Sequence, residues 1–366
     1  MYNYGYSLKT ARGFYRKKTT PDDLRVSMRG VHLRAMYMLA WCDFNVGNYE
    51  KALKRFKRVV QLSIRYKKTK ESRVLLKNDS LRDLILVFSK MDATKVAYDY
   101  FKGVMGAQYA YRAGKKLARK YYGQSNYVRS IKMYRFMMGI NEKGFKSTLG
   151  PDTPVFQNEI VRSAARIWKP KKIYTEVLKL MSYFEPDNPW FKKWEPVKKV
   201  YKVAEESAEQ TLLEYSTKYH QLAQKEKQNK RKKEQYYDFA IKLYDQYLRY
   251  FPRTESAYEL RFYLGELLYR KAKLTSPNVK RLSKKARDYY KRASRHYYLT
   301  TLKKGQFKKQ ASFSEILCYE ALAGRTGSAE LKGAGKKLRG LRKTKDGKVT
   351  WDKKKIKKGL LRQKKN

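Results

Sequence analysis

The chain has 366 residues, 42% of them hydrophobic, and carries 87 Lys and Arg against 33 Asp and Glu, a formal net charge of +54. That apolar content allows a large core, and a field of that size draws in polyanions: nucleic acid, an anionic membrane surface or an acidic protein face. No apolar run approaches the ~20 residues of a membrane span, so the sequence reads as having no transmembrane segment.

Residues 1–29 form a polar, basic N-terminal segment, with Pro21, Asp22 and Asp23 after Thr20 marking a helix start. Met1–Lys9 have no apolar core and no small-residue cleavage site, so they do not read as a secretory signal. A helical-repeat array is expected over 30–184. Its first hairpin, 31–66, places Leu39 and Ala40 in one helix, Gly47 in the turn Asn45–Asn48, and Tyr49, Ala52 and Phe56 in the next. Small residues at a helix crossing with aromatics wedged around it mark tetratricopeptide-type repeats. Residues 79–102 form a second pair around Met91–Ala93. Leu81, Leu84, Val87 and Phe88, then Val96, Ala97, Tyr100 and Phe101, recur at helical spacing there. Residues 107–140 repeat the first pattern with Leu117, Ala118, Tyr121, Tyr127 and Tyr134 around a turn at Gly123–Asn126, and Ser130 stands where the first copy has Ala52. Gly144, Gly150, Pro151 and Pro154 interrupt it, and 155–184 read as a degenerate pair split at Lys169–Pro170. Pro186, Pro189 and Pro196 predict a rigid, non-helical bridge over 185–196 that carries Trp190 and Trp194.

A second array is expected over 197–323. A long helix from Val197 to about Gln228 aligns Tyr201, Ala204, Ala208, Leu212, Tyr215, Tyr219 and Leu222 on one face. The helix Tyr236–Phe251 carries Tyr237, Ala240 and Tyr244 and closes at Pro252. Helix 255–272 carries Leu264, Gly265 and Leu268. After an inserted loop, 273–283, helices 284–300 and 307–323 follow, the first holding Ala286, Tyr290 and Ala293. From Gly324 the composition changes. Residues 331–366 hold 16 Lys and Arg, two acids and few large apolar residues, too little to offset chain entropy. A basic, disordered tail is predicted over 324–366, with Lys353, Lys354, Lys355, Lys357 and Lys358 as candidates for weak contact with nucleic acid or anionic lipid. The predicted fold is all-α: a tetratricopeptide-like, right-handed α-solenoid whose units each rest on their neighbours.

Catalytic, cofactor and metal sites find no candidates in the sequence. His32, His220 and His296 have no metal-ligand spacing. His220 lies beside the apolar stripe of the long helix and reads as a hydrogen-bonded structural residue; for His296, among Arg295, Tyr297 and Tyr298, a surface or partner contact is the alternative. Gly335–Lys337 lacks the upstream Gly and the Ser or Thr of a phosphate loop. Glu205, Glu206 and Glu209 read as a charged helix surface. Cys42 and Cys318 lie in apolar runs and read as buried small hydrophobes. The 33 tyrosines are ambiguous, because aromatics interleaved with Lys and Arg can bind single-stranded nucleic acid. Tyr121, Tyr127, Tyr134, Tyr237, Tyr244 and Tyr290 occupy repeat positions and read as core, whereas Tyr298, Trp190 and Trp194 fall outside the repeat and read as surface.

Residues 208–323 resemble the envelope-associated tetratricopeptide proteins of gliding and predatory bacteria, including the adventurous-gliding-motility tetratricopeptide proteins. The stretches that carry the resemblance are Tyr219–Lys225, Tyr244–Pro252, Ala257–Tyr269 and Ala286–Ala293, and residues 36–137 fit the general repeat less specifically. The resemblance implies a scaffold or assembly protein of the cell envelope or periplasm, usually exported. The insertion at 273–283 and the basic tail depart from that pattern. The expected function is therefore a non-enzymatic scaffold that presents a groove to an unidentified protein partner. The alternative is a nucleic-acid-binding helical repeat, and a weaker third reading is a regulatory subunit of an enzyme. An envelope location requires a signal upstream of Met1; without one the protein is expected in the cytoplasm.

Overall fold

Residues 29–68, 76–142, 145–146, 150–324, 341–343 and 349–351 are described by the computed structural model. Fourteen α-helices occur among them. The first eight are α1 (Arg29–Asn45), α2 (Tyr49–Lys68), α3 (Lys77–Ser89), α4 (Thr94–Met105), α5 (Ala107–Gly123), α6 (Tyr127–Gly139), α7 (Thr153–Ala164) and α8 (Pro170–Ser182). The rest are α9 (Pro189–Trp194), α10 (Lys198–Lys225), α11 (Lys230–Tyr250), α12 (Ser256–Thr275), α13 (Lys284–Thr301) and α14 (Lys308–Leu322). Two short antiparallel ladders accompany them, Asn141–Glu142 with Phe145–Lys146 and Leu341–Lys343 with Val349–Trp351. The second ladder falls in the segment expected to be disordered. The rest of that segment after Gly324, with Lys353, Lys354, Lys355, Lys357 and Lys358, lies outside the described residues.

The chain divides into two compact units, 1–208 and 209–366. The division falls inside α10, downstream of the Pro-rich stretch 185–196. Within the N-terminal unit α1 packs on α2, α2 on α3, and α4 to α8 each on the next; α3 also packs on α5. Within the C-terminal unit α11 packs on α12, α12 on α13 and α13 on α14. This succession of adjacent helix pairs is the arrangement of an α-solenoid.

The first hairpin shows why the sequence folds this way. Gly47 has φ +81°, a left-handed conformation that glycine adopts without cost, and the Asn48 N–H returns to the Asp43 carbonyl at 2.8 Å to close the turn. Ala40 and Ala52 are fully buried and leave room for Phe56, whose ring meets Tyr37 and Trp41 edge-on at 5.6 and 5.8 Å. In the α5–α6 hairpin the small residue is Ser130, also fully buried; its hydroxyl donates to the Ala118 carbonyl at 3.0 Å and so carries no unsatisfied polarity into the core. Tyr121 is buried there and donates to the Met91 carbonyl at 2.8 Å, which ties the preceding turn to this hairpin. Asn126 caps α6 by accepting from the Arg129 N–H.

Two expectations are corrected. The stretch 185–196 is not wholly non-helical, because Pro189 starts the short helix α9, where a missing N–H costs nothing. Trp190 is not a surface residue. It is fully buried against Phe184, and its indole N–H donates to the Gly150 carbonyl at 2.9 Å.

Candidate functional site

The repeat residues are spent on packing. Leu39, Ala40, Ala52, Phe56, Leu117, Ala118, Tyr121, Tyr134, Tyr237, Ala240, Tyr244, Leu264, Gly265, Leu268, Ala286, Tyr290 and Ala293 are all buried. Tyr49 and Tyr127 are half-buried, and Gly47 and Pro252 are exposed at their turns. Gly265 allows a close approach, since a Cβ there would lie 2.8 Å from the Tyr297 ring. Of the large aromatics among the repeat residues, Phe56, Tyr134, Tyr244 and Tyr290 are each at most 2% exposed. Cys42 and Cys318 are buried free thiols, and burial pushes the Cys318 thiol up. Among the described residues no group of three or more His, Cys, Asp or Glu is arranged to hold a metal ion. No described helix is long and apolar enough to cross a membrane.

In the N-terminal unit a cleft of about 360 Å³ opens beside Glu176, a carboxylate with 6% side-chain exposure. Arg135 of α6 holds it at 2.8 Å, Lys179 at 3.3 Å, and the Gln157 amide donates to its second oxygen at 2.8 Å. The charged groups of this cleft, Arg135, Glu176 and Lys179, are partnered with one another. The arrangement clamps α6, α7 and α8 together.

The C-terminal unit differs. His220 of α10 lies against Tyr244 of α11, Nδ1 to hydroxyl 3.4 Å, and beside the Tyr263 ring of α12 at 6.3 Å; Gln224 engages its Nε2 at 2.9 Å. The hydrogen-bonded role read from the sequence is the one this geometry gives it. Burial first, and then the Arg270 charge, push its imidazole down to about 4, so it is neutral at pH 7. A second histidine lies between more arginines. Burial, then Arg292, Arg261 and Arg295, push His296 down to about 4, and its Nδ1 is buried without a hydrogen-bond partner. Asp245 of α11 accepts from Arg292 Nη2 at 2.6 Å, yet burial raises its carboxyl more than Arg292 lowers it. Tyr298 is 50% exposed, as expected of a residue outside the repeat. Sequence reasoning flagged Arg295, His296 and Tyr298 but missed Arg261 and Asp245, because those come together only through the pairing of three helices.

No protein-family model matches the chain, and no curated protein matches it.

Proposed function

We propose that the protein is a non-enzymatic scaffold that binds a protein partner through the exposed faces of its helical repeats, in an assembly of the bacterial cell envelope. The observation that supports this reading is the use of the repeat residues. The small and aromatic positions are buried in the packing of the helices, and the chain's large excess of Lys and Arg makes what remains outside mostly cationic. Solenoids of this kind work by offering such surfaces to other macromolecules. The envelope assignment rests on the resemblance of residues 208–323. The net charge of +54 favours a second reading, a helical repeat that binds nucleic acid.

A photoreactive residue at Tyr298, half exposed on α13, separates the two in native cells. A discrete protein adduct that fractionates with the envelope and survives nuclease is expected. A nuclease-sensitive smear in the cytosol would replace the scaffold reading with the nucleic-acid one.

A further inference from the structure

The C-terminal unit holds a guanidinium that no described residue balances. Arg261 of α12 is half-buried and makes no hydrogen bond, ion pair or ring contact with a described residue. Burial is what acts on its charge, and it lowers the pKa. Its setting on the facing helix is cationic too. Arg292 and His296 are four residues apart on α13 and share a face, with Arg295 one residue from His296. Phe262, next to Arg261 in the chain, meets Tyr297, next to His296, at 5.9 Å between ring centroids, so α12 and α13 press together at this level. The acid that engages Arg292 is Asp245 of α11. Three guanidinium charges less one carboxylate leave a net charge of +2, with the imidazole neutral.

A half-buried charge without a partner is costly, and so is a buried ring nitrogen without one. The first cost is relieved by an anionic ligand. Guanidinium groups present planar forks of N–H donors that match the oxygens of phosphate. Arg292 uses Nη2 on Asp245 and keeps further N–H donors. A carboxylate would cancel one of the two surplus charges; a phosphate dianion cancels both. We propose that Arg261, Arg292 and Arg295 form a binding site for a phosphate dianion where α12 and α13 face each other, beside His296. The site stands apart from the scaffold reading and survives if no protein partner exists.

The test uses the full chain with inorganic phosphate at low-millimolar concentration against chloride of matched ionic strength. These levels keep general salt effects on burial small. A tenfold excess over Kd should raise the unfolding midpoint of the C-terminal unit by about 3–6 °C. Arg261→Gln and, separately, the more exposed Arg295→Gln should each abolish that shift. A variant with Lys353, Lys354, Lys355, Lys357 and Lys358 changed to Gln should keep it. Phosphate should also move the His296 ring signals in the nuclear magnetic resonance spectrum, a change that a purely structural role would not produce. Competition by O-phosphoserine would assign the site to phosphate esters, and its failure would assign it to the free ion. A midpoint shift that persists in both arginine variants, vanishes in the tail variant or is absent in the native chain overturns the proposal.

Discussion

The two units handle buried charge in opposite ways. In the N-terminal unit each deeply placed acid is closed by local partners: Asp43 by Arg55 at 2.6 Å, Asp83 by Tyr37 at 2.5 Å, and Glu176 by Arg135, Lys179 and Gln157. Its half-buried cation Lys57, whose pKa burial lowers, lies over the Tyr100 ring at 4.6 Å and the Phe88 ring at 5.6 Å, so aromatic faces offset part of the lost hydration. The C-terminal unit closes some of its polar groups, as where Tyr297 donates to Glu266 at 2.7 Å and Lys271 pairs with Asp238 at 2.9 Å. It leaves Arg261 open and holds two histidines neutral among arginines. Polar groups that are fully paired rigidify a fold, whereas open ones are available for ligands. Among the described residues, the half-buried guanidinium without an acceptor lies in the second unit.

The largest effect separates the units by stability. Phe56 is fully buried at the first crossing, so Phe56→Ala should cost the N-terminal unit ~3–5 kcal/mol. Calorimetry should show a lowered midpoint for that unit and little change in the other. A single transition that moves as a whole would show that the units unfold together and would weaken the comparison.

Acid is expected to act the other way round. The folded values of His220 and His296, about 4, lie below the ordinary 6.5. Between these values the unfolded chain binds protons that the folded one does not. The stability tied to these residues is thus complete above pH 6.5 and is lost as pH falls toward 4, on the order of 2–3 kcal/mol for each histidine. Urea titrations at pH 7 and pH 4.5 should show the C-terminal unit weakening more. A His220→Gln, His296→Gln double variant should lose that preferential sensitivity.

A smaller effect tests the closed network of the first unit. Glu176→Gln keeps the shape but removes the charge that Arg135 and Lys179 share, and should cost about 1–3 kcal/mol. Arg135 and Lys179 are half exposed, which keeps the cost below that of a fully buried pair. No change in midpoint would mean that the network adds nothing to holding α6, α7 and α8.

Much of the fold was legible because its signals are local. The turn glycine at 47, the turn at Gly123–Asn126, the proline at 170 and the spacing of small and aromatic residues each act within a turn or two of chain. Most helix boundaries follow from them to within a few residues, but α11 already begins at Lys230, well before the expected Tyr236. Trp190 was misread for the same reason. Its helix is one of six residues in a Pro-rich stretch, and its partner, the Gly150 carbonyl, lies 40 residues away. Gly114 was passed over as well: it sits under the sulfur of Met137, where a Cβ would come within 2.5 Å, yet a lone glycine in a helix gives no sign of what crosses it. The cluster around His296 needs α11, α12 and α13 in register. Amphipathic patterning says that these helices pack, not which polar side chains meet where they do.

The smallest effect carries the opposite sign and is the sharpest check on the contrast between the units. If Arg261 is uncompensated in the phosphate-free protein, its charge opposes folding, since the guanidinium gives up water and gains no acceptor. Replacing it with Met, which keeps much of the stem's packing, should raise the stability of the C-terminal unit by up to about 1 kcal/mol. Most substitutions of half-buried residues lower stability, so the sign alone is informative. Arg55→Met provides the matching measurement in the first unit: Arg55 pairs with Asp43, whose side chain is 1% exposed, and losing it removes that ion pair. It should destabilise by about 2–4 kcal/mol. Chemical denaturation of the two variants in phosphate-free buffer decides the matter. Opposite signs mean that one unit keeps its charges balanced and the other does not; two losses of similar size would place Arg261 in an internal role like that of Arg55 and erase the distinction.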